Sequence, residues 1–283
     1  MSRFETHIDI DAAGQSAVAL LSDQTDLGRQ VIKQAMSKGA VWLTGRHGTQ
    51  RIRRADKALS AGDRLHMYYD PSILAQQPPA ATLIADEQAF SIWSKPCGMF
   101  SQGSRWGDHC TIGRWAEKHL QPQRPAFITH RLDRAASGLI IIAHAKGTAA
   151  AIAKLFRERR ISKTYTAIVH GRLAEAMTID QPIDNKAAVT QVRCREYDAE
   201  RDLSVLEVAI ESGRKHQIRR HLAEAGLPIV GDRLHGCAPE DMAQDLCLAS
   251  SGLAFESPLD GTQKRYVLPT ELLPWRMIPE SSP

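Results

Sequence analysis

The chain is poor in cysteine, in aromatic residues and in long apolar runs. Five cysteines in 283 residues, at 97, 110, 194, 237 and 247, make an odd and irregularly spaced set. A disulfide framework is therefore not the organising element. No two of them form a Cys-x-x-Cys pair, and His216 and His221, five apart, share no helix face, so no metal site is expected. No apolar run approaches the roughly 18 residues that a membrane-spanning helix needs. The longest, Gly138–Ala143, is the length of a strand. The opening residues lack the apolar core of a secretory signal, so a cytoplasmic chain with reduced thiols is expected. Gly98-Met-Phe-Ser-Gln-Gly103 lacks the strand–helix setting of a phosphate-cradling loop. No metal, nucleotide or redox cofactor is expected.

What is present is an ordinary globular composition, 43% hydrophobic and 24% charged, which can fill a core without staples. The length suits a large domain with a small one beside it. The net charge of +4 is modest but unevenly spread. Residues 124–172 carry ten basic and two acidic side chains, whereas 173–283 carry 12 basic and 18 acidic. Such a basic block suits a polyanion-binding surface. Pairing with the acidic final third accounts for it equally well.

Apolar spacing predicts a helix over Ser16–Lys38, stopped by Gly39. Short strands follow at Ala40–Thr44, Gln50–Arg54 and Arg64–Tyr69. Asp70-Pro71 and Gln76-Gln-Pro-Pro-Ala80 read as a stiff linker. This divides a small module at 1–70 and a linker at 71–82 from a large domain at 83–275. In the large domain, strands are predicted at Ala89–Trp93, Gly138–Ala145, Thr164–Val169 and Leu203–Ile210. Helices are predicted at Thr111–Leu120, Thr148–Arg160 and Lys215–Ala225. Strands outnumber helices without strict alternation, which points to an α+β fold.

The segment His130-Arg-Leu-Asp-Arg-Ala-Ala-Ser-Gly138 leads into the most apolar strand. Loops beside rigid strands are common sites for chemistry. Asp133 stands between Arg131 and Arg134, and neighbouring guanidiniums favour an ionised carboxylate. Such a group can attack an electrophilic carbon. On spacing alone, a structural Asp–Arg ion pair is the simpler account. Farther on, Arg214, Lys215 and His216 fall at a predicted helix N-terminus, where the macrodipole disfavours cations. The like-signed pairs Lys215/Arg219 and His216/Arg220 sit four apart. Both features suggest an anionic partner.

Taken together, His130-Arg-Leu-Asp-Arg134 with Ser137-Gly138, Phe156–Gly171 and Ser212–Leu222 with Pro228-Ile-Val-Gly-Asp232 resemble the three motifs of the RluA-type pseudouridine synthases. Lys95-Pro-Cys-Gly98 resembles that family's early Lys-Pro-x-Gly element. The likeness covers about residues 86–270. It implies a mixed, largely antiparallel central sheet, the pseudouridine synthase fold, and an RNA substrate without a cofactor. It also implies that Asp133 is the nucleophile, Tyr165 stacks on the target uracil and Arg219 pairs with the carboxylate. Arg131 would fill the helix when the base leaves, with His130, Arg134, Arg214, Lys215 and His216 handling RNA. Ala136 departs from the threonine common before Ser-Gly, and Glu211-Ser212 from the usual Thr-Gly. The first 70 residues resemble the small alpha-L RNA-binding module, with Arg46, Arg51, Arg53 and Arg54 (and His47 and Lys57) as its RNA surface. The expected protein is a monomeric synthase acting on large-subunit ribosomal RNA, with transfer RNA as second choice. A non-catalytic RNA-binding or ribosome-assembly protein is the alternative.

Overall fold

The computed structural model describes residues 2–236 and 242–273. Cys237 and the last two residues of the domain expected at 83–275 lie outside that range. The chain divides into two compact units. The first holds residues up to Pro78 together with Gln102–Trp115, and the second holds Pro79–Ser101 and the chain from Ala116 onward.

The first unit is built on a four-stranded antiparallel sheet of order β1-β4-β2-β3, formed by Phe4–Asp9, Arg64–Tyr69, Val41–Gly45 and Gly48–Arg51. β1 was not foreseen, because its polar and charged residues mask the alternation. The long helix expected over Ser16–Lys38 is two helices, α1 (Ala17–Gln24) and α2 (Arg29–Ser37). Thr25 ends the first: its backbone is extended and its hydroxyl donates to Leu21 O. Side-chain hydrogen bonds of this kind compete with helix continuation. Gly28 then starts the second. Both helices press apolar faces (Leu21, Ile32, Met36) onto Val41, Leu65 and Met67 of the sheet. Within the expected linker, Pro71–Leu74 forms a helical turn, α3. Asp70 caps it by accepting from the Ser72 and Ile73 amides, and Pro71 stands where no donor is needed.

The Gln102–Trp115 segment belongs to this unit through Asp108. That carboxylate takes Arg53 at 2.5 Å and Arg51 at 3.4 Å. Gly39 is required beside it: its φ is +83°, and a Cβ there would lie 2.3 Å from Asp108 Oδ1.

The second unit is one ten-stranded sheet of order β10-β11-β12-β9-β13-β8-β6-β5, with β14 added to β13 and β7 to β8. In chain order these strands are β5 (Thr82–Asp86), β6 (Phe90–Lys95), β7 (Phe127–Ile128), β8 (Ser137–Ala143), β9 (Ser162–His170), β10 (Met177–Ile179), β11 (Thr190–Asp198), β12 (Leu203–Ile210), β13 (Leu248–Glu256) and β14 (Gln263–Val267). All strand pairs are antiparallel except β8 with β13. This is the α+β arrangement that the motifs imply. Three helices accompany it: α4 (Ile112–His119), whose first turn lies within the first unit's segment, α5 (Lys146–Arg157) and α6 (Gln217–Glu224). Every residue of β8 is buried, which explains its unbroken apolar run. Ile152 and Leu155 of α5 pack with Leu139 and Ile141 of β8 and Leu253 and Phe255 of β13. Each such side chain contributes about 1.5–3 kcal/mol.

The parallel contact between β8 and β13 is two residues long, Ser137 with Ala249 and Gly138 with Ser250. Gly138 has φ +100°, and a Cβ there would come within 2.3 Å of Ser250 O. That close approach ties the loop before β8 to the sheet centre. Gly138→Ala is expected to cost roughly 2–4 kcal/mol, through a strained φ and a forced shift of the strand pair. Urea denaturation checks this; an unchanged midpoint would contradict it.

Candidate active site

Three elements of the second unit converge at one place. The first is the loop before β8, which carries Asp133. It is fixed from below by Lys95, the last residue of β6, whose side chain is fully buried. Its Nζ, with three hydrogens, lies within hydrogen-bond distance of four carbonyls: Ala136 at 2.6 Å, Pro96 and Met99 at 3.0 Å, and Arg134 at 3.4 Å. Burial lowers its pKa to about 8. Ser101 closes the other side, donating to Leu132 O and accepting from Leu132 N. The buried side chain of Leu132 and these backbone bonds leave Asp133 facing outward, 30% exposed.

The second element is α6. Arg219, 4% exposed, donates through Nε and Nη2 to Asp232 at 2.8 and 2.5 Å. Its Nη1 lies 3.7 Å from Asp133 Oδ2. Asp232 is completed by the backbone amides of Leu234 and His235. These bonds and the guanidinium hold its carboxyl below the usual range despite burial. His216 precedes α6 in a left-handed conformation, φ 55°. Its Nε2 is 3.9 Å from Asp133 Oδ2, and its Nδ1 pairs with His235 Nε2 at 3.0 Å.

The third element is β9. Tyr165 is buried and stands opposite Ser250 on one side and Val208 on the other. Ser250 in turn pairs with Gly138, so the register runs from the Asp133 loop across β13 to this ring. Burial, then the Asp133 charge, raises its pKa. The phenol therefore keeps its proton at neutral pH.

Asp133, Tyr165 and Arg219 are thus brought together, and several sequence expectations need correction. Asp133 makes no ion pair with Arg131 or Arg134, the account that spacing alone favoured; Arg219 of α6 is its cationic neighbour, as the resemblance implies, and the His216 ring stands 3.9 Å away. Arg134 is spent on the loop, with Nε donating to Gly98 O and its guanidinium over the Phe100 ring at 4.4 Å. His130 is held as a neutral acceptor: Nε2 takes the Ile141 amide, and the ring packs on Phe156. Burial, with the Lys163 charge, lowers its pKa to about 3. It presents no cation to RNA. Arg214 donates to Ala187 O and Arg220 to Asp184. With Arg219 on Asp232, two arginines of α6 already have carboxylates within the protein. Lys215 stays exposed. The basic block at 124–172 also partly pairs with the acidic third, Arg159 with Glu211 and Arg160 with Glu256. Arg131 is exposed and free of such ties among the described residues.

In the first unit, Arg51 and Arg53 are half-buried ties to Asp108, Gly39 O, Ser37 O and Ser104 O. Of the expected RNA surface there, Arg46 and Arg54 are the exposed arginines. Asp232 and Lys95 were not named as functional groups from the sequence. Both stood inside quoted motifs, Pro-Ile-Val-Gly-Asp232 and Lys95-Pro-Cys-Gly98.

The site thus sets a partly exposed carboxylate near a buried guanidinium and a buried tyrosine, on a broad and largely antiparallel sheet. A family model described as RNA pseudouridylate synthase matches residues 89–224. An uncharacterized RNA pseudouridine synthase of Chloroflexus aurantiacus is 31% identical over 75% of this chain and 72% of its own. The ribosomal large subunit pseudouridine synthase D of Xylella fastidiosa is 28% identical over 82% and 74%. The tRNA pseudouridine synthase C of Vibrio cholerae is 30% identical over 58% and 81%. The fold matches human RNA pseudouridylate synthase domain containing 1 at a TM-score of 0.58, with 22% identity over 69% of this chain and 86% of that one. The chain belongs to the RNA pseudouridine synthase family, the RluA type, and is an RNA-modifying isomerase.

Asp232→Asn leaves the buried Arg219 without its main counter-charge. Breaking a buried pair from one side costs about 3–5 kcal/mol, and chemical denaturation is expected to show a loss of that order. A loss below about 1 kcal/mol would contradict the pairing.

His130 supplies a pH test. Its folded pKa of about 3 lies below its ordinary value, so the unfolded chain binds the proton first as pH falls. Its contribution to stability is present near pH 7 and is lost as pH falls toward about 3. His130→Ala is expected to be less stable than wild type by about 1–2 kcal/mol at pH 7. That gap should narrow by pH 4.5 in paired urea titrations; a constant gap would refute a neutral His130.

Proposed function

We propose that Asp133 is the nucleophile of uridine isomerisation and that the substrate is large-subunit ribosomal RNA. The reaction breaks the bond from C1′ to N1 of the uracil and forms one from C1′ to C5. The proton on C5 is lost and N1 gains one. Asp133 adds covalently to the sugar or to the base ring, which tethers that half to the enzyme while the base turns, and this bond is broken again to release the product. Arg219 supports it: with Nε and Nη2 locked on Asp232, the remaining nitrogen faces Asp133. Tyr165, protonated at neutral pH, serves as a stacking platform for the flipped base, worth roughly 1–3 kcal/mol. Flipping costs about a few kcal/mol, and Arg131, exposed two residues before Asp133, is suited to fill the vacated place.

The observation that carries this reading is the approach of Arg219 to Asp133 across 86 residues of sequence. A binding-only protein has no use for an exposed carboxylate poised that way. For the RNA class, the support is the extent of likeness. The relative named for the ribosomal large subunit aligns along 82% of this chain, well beyond the shared catalytic motifs, whereas the one named for tRNA aligns along 58%.

Asp133→Asn is expected to abolish pseudouridine formation while RNA affinity persists. Pseudouridine mapping of total RNA from cells with wild type, with the variant or without the protein reads both the chemistry and the target. Equal modification by variant and wild type would overturn the nucleophile assignment. A lost site in transfer RNA instead of ribosomal RNA would overturn the substrate assignment.

A further inference from the structure

Among the described residues, four lysines are not solvent-exposed: Lys38, Lys95, Lys163 and Lys264. Three of them have acceptors. Lys38 donates to Leu74 O, Lys95 to four carbonyls, and Lys264 to Glu87. Lys163 has no carboxylate, carbonyl or hydroxyl partner among the described residues. Lys163 is half-buried, and partly withdrawing an ammonium from water without a counter-charge is unfavourable.

Its surroundings add positive charge. Lys163 lies on β9 two residues before Tyr165, and strand alternation puts the two on the same face. Its charge reaches the His130 ring, and Arg159 lies close enough to disfavour its protonation, adding to burial. Arg159 occupies a left-handed position, φ 56°, just past the end of α5, where glycine is usual. Its acid, Glu211, is 3.7 Å away on a half-exposed side chain. Next to His130 in sequence stands Arg131, exposed and likewise without a partner among the described residues. Arg131 and Lys163, neither with an acid partner among the described residues, thus stand two residues before Asp133 and Tyr165 respectively.

We infer that Lys163 is a phosphate-binding residue: its ammonium takes a non-bridging oxygen of the RNA backbone beside the target uridine, with Arg131 at the neighbouring position. The inference rests on the RNA reading above but not on the role of Asp133. A phosphodiester supplies the missing counter-charge, and it fixes the nucleotide whose base lies on Tyr165. The residue is a binding group and takes no part in bond making.

The test compares wild type, Lys163→Gln and Lys163→Arg in binding an unmodified large-subunit ribosomal RNA transcript across about 50–300 mM KCl. Each phosphate contact adds about 0.7–0.9 to the slope of log affinity against log salt. Lys163→Gln is expected to lower the slope by that amount, and Lys163→Arg to retain it. Without RNA, Lys163→Gln is expected to melt at the wild-type temperature or above, since it removes an unpaired cation. An unchanged slope in Lys163→Gln, or a melting point several degrees lower with the slope kept, would overturn the inference and make Lys163 a structural residue. A reduced slope in a protein whose wild type forms no pseudouridine would retain the phosphate contact and reject the chemistry assigned to Asp133.

Discussion

The site depends on a buried guanidinium shared unequally between two carboxylates. Arg219 gives two nitrogens to Asp232 and turns a third toward Asp133. An arginine so enclosed is tolerable only with a paired acid. Asp232 meets that need, and two backbone amides also donate to its Oδ1. Asp133 is thereby relieved of a structural duty. It can stay partly exposed and still feel a fixed positive charge.

The loop that carries Asp133 is preorganised by the same logic. Four carbonyls of an irregular backbone turn inward, and one buried lysine satisfies them. Ser101 completes the other edge of the loop. The positive charge at Lys95 and the one at Arg219 thus play different parts: one holds backbone, the other faces the reactive carboxylate. Gly138 joins the loop to the sheet by an approach that no side chain would allow. Through Ser250 that approach sets the distance from the loop to Tyr165.

Cations in this protein sort by what they touch. Arg51, Arg53, Arg134, Arg214 and Arg220 are bound to carbonyls or acids of the chain itself. Arg131 and Lys163 are not. A count of basic residues cannot separate these classes, because a guanidinium in an ion pair and one awaiting a phosphate look alike in sequence.

Much of the second unit was legible before its structure. β12 runs over Leu203–Ile210 as expected, and β8, α5 and α6 fall within a few residues of their predicted places, because apolar periodicity and caps act locally. Strands such as β1 and β11 were hidden, since their exposed faces are polar, and β1 pairs with β4 far along the chain. The motifs marked Asp133, Tyr165 and Arg219 as chemical residues. They also implied Arg219 as the partner of Asp133, but they could not say that Asp232 holds that arginine. Local sequence determined which segments form helix or strand and which residues carry reactive groups. Only the tertiary structure decided which charge neutralises which, because burial and pairing are set by strand register and helix docking between residues far apart in the chain.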